Sequence, residues 1–224
     1  MTKLQNSHSL PGHAFSRMLS PMNSTYPTSA RGPADHEVRD QILAAATEHF
    51  RHYGYAKTTV SDLAKSIGFS KAYIYKFFES KQAIGEAICA TCLRQIETEV
   101  SAAVAETDLP PEKLRRMFKA YTEATLRLLF HDRKLYEIAA SAATEHWPSV
   151  LAYEERIGKL LREVLQAGRQ SGDFERKTPL DETATAIYLA MRPYLNPLLL
   201  QYSLDYTEDG PTQLSSLVLR SLSP

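Results

Sequence analysis

Between Ala34 and the C-terminus apolar side chains recur almost everywhere at helical spacing and almost nowhere at strand spacing. Val38, Ile42, Ala45/Ala46, His49 and Tyr53 form one stripe, widened by Leu43 and Phe50, which predicts a first helix stopped by Gly54. Thr59 and Asp62 make a capping-box-like pair. Behind them Val60, Leu63, Ala64 and Ile67 supply the i, i+3, i+4, i+7 face of a second helix. Gly68 ends that helix, because the left-handed C-cap conformation costs glycine nothing. Ser70 caps a short third helix over Lys71 to Phe78 that buries Ile74 and either Phe77 or Phe78, and Ser80 caps a longer fourth that runs to near Ala105.

Proline then marks the helix starts, its fixed φ and missing N–H being harmless there. Pro111, Pro148, Pro179 and Pro211 each precede an amphipathic run, so helices are expected over 111–130, 133–145, 148–171, 179–203 and 211–222. Pro193 and Pro197 should kink or break the fourth of these. The expected fold is all-α: an N-terminal three-helix unit over 34–82, and a helical bundle over 83–224. Residues 1–33 are rich in Ser, Pro, Asn and Thr, hold no acidic residue and show neither period. They read as a disordered arm, or as residues upstream of a later start at Met18 or Met22.

With 43% hydrophobic and 23% charged residues the composition is that of a globular protein. The longest uncharged apolar stretch, 193–204, is shorter than the ~18 residues a membrane span requires, so no membrane partner is expected. Two cysteines and no signal-peptide pattern point to a reducing, cytoplasmic setting. Lys+Arg and Asp+Glu number 26 each, and this net zero excludes a generically basic nucleic-acid coat. The balance is a cancellation, however. Residues 1–82 carry ten basic and six acidic side chains, net +4, whereas 83–224 carry sixteen and twenty, net −4. One half is thereby suited to an anionic partner.

Two short helices joined by Gly68-Phe69-Ser70 have the form of a helix-turn-helix. With Ile74 and Phe78 buried, the second helix leaves Lys71, Ala72, Tyr73, Tyr75 and Lys76 uncommitted, a set suited to base edges in a major groove. Thr58, Thr59, Ser61, Tyr75 and Lys81 stand at helix starts or ends, where hydroxyls, backbone N–H groups and an ammonium bind phosphate. The alternative is a plain helical hairpin with Lys71, Lys76 and Lys81 as a solvated face.

From about Val38 to Ile88, with Thr58-Thr59-Val60-Ser61-Asp62-Leu63-Ala64, Gly68 through Phe78, and Ser80-Lys81, the chain resembles the DNA-binding domain of the TetR family of bacterial repressors. The resemblance implies that Ser70 caps a recognition helix beginning at Lys71, Ala72 and Tyr73, that Tyr75 and Lys81 contact phosphate, and that Ile74 and Phe78 are core. Phe77 departs from the His or Tyr common in the family, so no phosphate contact is expected there. The resemblance further implies a homodimer on a pseudo-palindromic double-stranded operator, a repressor released by a small-molecule effector. Beyond residue 88 it extends only to length and helicity, and names no effector.

Other chemistry is weakly supported by sequence. Cys89-Ala90-Thr91-Cys92 lies mid-helix without the strand-to-helix setting that activates a thiol, so packing cysteines are expected, with a thiol-responsive sensor as the alternative. His49 and His52 share a face but lack the Glu of a metal motif, and no phosphate-binding, hydrolase or dinucleotide signature occurs. No catalytic residue, metal or cofactor is expected, and a helical enzyme is the remote alternative. Aromatic residues and Met crowd the later helices. Tyr121, Trp147, Tyr188 and Arg192 are the expected lining of an effector pocket, with His131, Glu145 and His146 as further polar candidates. Leu195, Leu198, Leu199, Leu200 and Leu217 offer apolar surface for dimerisation.

Overall fold

The structure is a computed structural model that describes residues 35–131 and 133–224. The arm over 1–33 lies outside the described residues. Among the described residues there is no strand, and the helices follow in the order α1 Asp35–Tyr53, α2 Val60–Ile67, α3 Lys71–Tyr75, α4 Lys81–Ala105, α5 Pro110–His131, α6 Arg133–Thr144, α7 Pro148–Ser171, α8 Leu180–Leu195, α9 Pro197–Leu200 and α10 Gly210–Ser221. A single 3₁₀ turn, Leu204–Tyr206, precedes α10. None of the helices is long and apolar enough to cross a membrane.

Local chemistry sets the first four elements. Thr59 Oγ1 accepts from the Asp62 N–H while the Asp62 carboxylate accepts from the Thr59 N–H, the reciprocal pairing of a capping box. Gly68 adopts φ 77°, and the Phe69 N–H closes back on the Ala64 carbonyl, a Schellman stop. Ser70 and Ser80 cap α3 and α4 through the N–H groups of Tyr73 and Ala83. The third helix is shorter than expected. It ends at Tyr75 and continues as a turn that swings Phe78 into the core and leaves Phe77 half-buried.

α4 is the spine, packed along α5 and α7, and α1 lies against α4 and α6. The core is continuous from Val38 in α1 to Leu222 beyond α10, through Ile42, Phe50, Leu63, Ile74, Ile84, Leu114, Met117 and Leu161. Each such side chain contributes ~1.5–3 kcal/mol on burial, which offsets the entropy of ordering the helices. Trp147 at the start of α7 offers no side-chain cap. The Glu86 carboxylate of α4 does so instead, accepting from the Ser149 N–H at 2.6 Å and its hydroxyl at 3.1 Å.

The expected helix over 179–203 is corrected. α8 runs through Pro193 to Leu195, and the break falls at Asn196, which is extended at φ −92°, ψ 123°. A residue before proline is pushed out of the helical region, and Asn196 precedes Pro197. Its carboxamide oxygen accepts from the Leu198 N–H and so starts α9.

α7 carries a close approach at Gly168, where a Cβ would stand 2.0 Å from Phe174 Cδ2. Inside a helix Gly→Ala ordinarily gains about 0.8–1 kcal/mol. Gly168→Ala is expected to lose ~1–3 kcal/mol instead, because Phe174 is buried and has nowhere to move. Chemical denaturation of Gly168→Ala, Phe174→Ala and the double variant checks this. The loss should shrink once Phe174 is already truncated.

Candidate nucleic-acid interface

α2 braces α3 by burying Val60, Leu63 and Ala64 and leaving its opposite side polar. α3 buries Ile74, and Phe78 follows it into the core at 3% exposure. This leaves Lys71, Ala72, Tyr73, Tyr75 and Lys76 together on one open face, so the structure gathers the five residues expected to face a groove. The face is stiffer than its sequence suggests. Tyr73 sits edge-on between Phe69 at 5.1 Å and Phe77 at 5.3 Å, a short aromatic ladder that fixes its ring. Lys71 lies over the Tyr75 ring and Lys76 over that of Phe77. Lys76 also reaches Asp35 of α1 at 3.5 Å, an exposed pair that exchanges readily for a phosphate.

The residues expected at phosphates fall into two groups. Thr59 is exposed, with its hydroxyl donated to the Asp62 carboxylate at 2.7 Å, and Ser61 is half-buried; Ser70, the cap of α3, joins them at the same surface, its oxygen accepting in the cap and its proton unclaimed among the described residues. Thr58 is only 2% exposed, and its hydroxyl donates to the Gly54 carbonyl at 2.8 Å. Lys81 is half turned inward: its ammonium donates to the carbonyls of Tyr55 and Ala56 and stands 4.5 Å over the Tyr55 ring. Thr58 and Lys81 thus hold the turn that positions α2. Asp62, whose carboxyl is shifted below its ordinary value first by its Thr59 hydrogen bonds, keeps the capping box charged at neutral pH.

Tyr55 joins this unit to the rest of the chain. Its ring meets Phe50 at 5.2 Å on one side and Trp147 at 5.9 Å on the other. Trp147 is 1% exposed and lies where a Cβ on Gly85 of α4 would come within 3.1 Å of it. The sequence places Trp147 in an effector pocket, whereas its ring packs in this joint, because Tyr55 and Gly85, distant in sequence, are its neighbours. His146 before it takes φ 52°, and the Trp147 N–H bonds the Ala142 carbonyl, so α6 ends in a Schellman stop with His where glycine is usual. Glu145 accepts the Trp147 indole N–H at 2.8 Å.

Of the expected effector lining, Tyr188 borders an apolar cavity of about 40 Å³ between α4 and α8, whose walls include Leu93, Ile96, Leu128, Val150 and Ile157. Tyr121 stands one ring away, edge-on to Tyr153 of the lining at 6.2 Å. Trp147 belongs to the joint just described and Arg192 is exposed at the surface, so the four are not brought together. The side chain of His131 lies outside the described ones. Cys89 also borders the cavity, and burial pushes its thiol up to about 11, away from the reactive thiolate. Among the described residues no group of three or more His, Cys, Asp or Glu is placed to hold a metal ion.

Two family models match the chain. That of the bacterial regulatory proteins of the tetR family covers residues 42–88, and a tetracyclin repressor-like C-terminal domain covers 110–212. A relative from Bacillus subtilis, the uncharacterized HTH-type transcriptional regulator YhgD, is 29% identical over 156 residues, covering 66% of this chain and 76% of its own. The solved transcriptional regulator of Cytophaga hutchinsonii shares the fold at a TM-score of 0.64 and 18% identity, covering 85% of this chain and 100% of its own. The fatty acid degradation regulator FadR of Bacillus halodurans does so at 0.60 and 20%, covering 80% and 97%.

Proposed function

The chain belongs to the tetR family of bacterial regulatory proteins, as a helix-turn-helix transcriptional regulator, and on that premise we propose that it is a homodimeric repressor released by a small molecule. The observation that carries the DNA-reading part is the open α3 face, Lys71, Ala72, Tyr73, Tyr75 and Lys76, seated on a buried Ile74 and Phe78. Two such faces enter successive major grooves of a pseudo-palindromic operator, with half-sites roughly 34 Å apart. Thr59, Ser61, Ser70 and Lys81 contact the flanking phosphates, and residues 34–82 form the DNA-binding part, with 83–224 the effector and dimer part.

Leu189 on α8 and Leu217 on α10 are more than half exposed and support a dimer seam there. Leu195 and Leu200, by contrast, are buried within the chain and close its own bundle. An effector in the distal bundle releases the operator by binding better to a dimer whose recognition helices miss the half-site spacing. A small molecule is the proposed trigger rather than an oxidant, because Cys89 is buried and its thiol is held protonated. The protein acts in the cytoplasm and catalyses no reaction. Genome-wide footprinting followed by gel-shift assays tests the reading. Tyr75→Ala should keep its helical circular dichroism and lose operator affinity by about tenfold or more, and an unchanged affinity would remove Tyr75 from the interface.

A further inference from the structure

The cavity bordered by Tyr188 holds a feature that packing alone does not explain. Tyr153 of α7 lines it, is 5% exposed, and its hydroxyl has no hydrogen-bond partner among the described residues. A buried polar group left in this state is uncommon, because desolvation is uncompensated. Other polar groups along the lining have partners: Thr125 donates to the Tyr121 carbonyl at 2.8 Å, the Asn196 carboxamide oxygen accepts from the Leu198 N–H at 2.9 Å, and the Glu154 carboxylate lies beside the Tyr188 phenol. Glu154 is also the one charged residue among those lining the cavity, and no cation stands among them.

We propose that this cavity binds an uncharged, largely apolar small molecule with one carbonyl oxygen, which accepts the hydrogen bond of the Tyr153 hydroxyl. This deepens the effector-released reading above and rests on it. Burial holds the Tyr153 phenol protonated, so it is a donor at any physiological pH. An anionic headgroup would meet Glu154, since the nearest cations lie outside the lining, Arg156 paired with Glu97 at 2.7 Å and Arg192 exposed, and an ammonium has no acceptor to offer the Tyr153 O–H. At about 40 Å³ the cavity is smaller than the ~150 Å³ that admits benzene, so the ligand must displace a wall. The end of α8, which contributes Leu195 and Asn196, is the wall built to give, because Pro193 offers no N–H to the preceding turn.

Calorimetric titration of the full chain with 2-octanone, octanoate and octylamine tests this, with melting temperature followed in parallel. 2-Octanone should bind and raise the melting temperature, and the two charged analogues should bind far more weakly. Tyr153→Phe should weaken 2-octanone binding roughly 5- to 10-fold, while its ligand-free melting temperature stays level or rises because the unpartnered hydroxyl is gone. The proposal is overturned if octanoate or octylamine binds as tightly as the ketone, if Tyr153→Phe binds the ketone unchanged, or if neither 2-octanone nor its six- and ten-carbon homologues bind. Operator binding by ligand-free protein separates the two readings. Operator binding without ketone binding removes this site and leaves the regulator, and ketone binding at Tyr153 without operator binding does the reverse.

Discussion

Trp147→Ala is expected to lower the melting temperature by roughly 10 °C, the equivalent of ~3–5 kcal/mol for truncating a buried aromatic in a chain of this size. The ring is the meeting point of four elements. It is the residue that closes the Schellman stop of α6, the N-cap of α7, the neighbour that requires glycine at Gly85 of α4, and the partner of Tyr55 beneath the helix-turn-helix unit. Alanine leaves a void against Tyr55 and Gly85 that cannot collapse, because α4 is held independently by α5 and Glu86 still fixes the start of α7. Trp147→Phe keeps most of the apolar contact and loses only the bond to the exposed Glu145, so its effect should be a minor fraction of that. Scans at matched protein concentration are required, since association shifts apparent stability. A fall of less than about 3 °C in Trp147→Ala would mean that the ring bears little of the joint.

What the sequence disclosed and what it hid divide along the range of the forces involved. Thr59, Ser70 and Ser80 as caps and Gly54 and Gly68 as stops are decisions made within four residues, and each stands where the pattern put it. Pro193 and Pro197 looked equivalent as breakers, yet only the second breaks, since a helix tolerates one lost N–H in its last turns more easily than a forced extended residue. The stop at His146 carried no glycine to announce it. The packing of Trp147 depends on Tyr55 and Gly85, distant in sequence, and Tyr153 reads as an ordinary core position until its neighbours are known to offer its hydroxyl nothing. Charge shows the same limit. Residues 1–82 carry net +4, but 35–82 hold seven basic and six acidic side chains, so Lys3, Arg17 and Arg31 supply most of the excess. The open face of α3 was legible because its apolar partners, Ile74 and Phe78, lie within one turn of it.

That near-neutral unit sharpens the second large effect. Operator affinity should fall about a thousandfold between 50 and 200 mM monovalent salt. Lys71, Lys76 and Lys81 are the cations expected at DNA, while Arg39 is stacked over the Phe78 ring, and two protomers bring about six such lysines to the phosphates, giving a slope near −5 in log affinity against log salt. The steepness comes from local counterion release rather than net charge, which is why a chain with equal numbers of acids and bases is still expected to respond strongly. The acidic excess over 83–224 acts the other way, holding down non-specific binding without adding released ions. Lys71→Ala should reduce the slope by about 2, one for each protomer. Lys81→Ala should reduce it less, because the ammonium already gives two of its hydrogen bonds to Tyr55 and Ala56, and should loosen the turn before α2 as well. A slope near −2.5 would mean that a single unit engages DNA and would remove the dimer from the account, and a flat response would remove the phosphate contacts altogether.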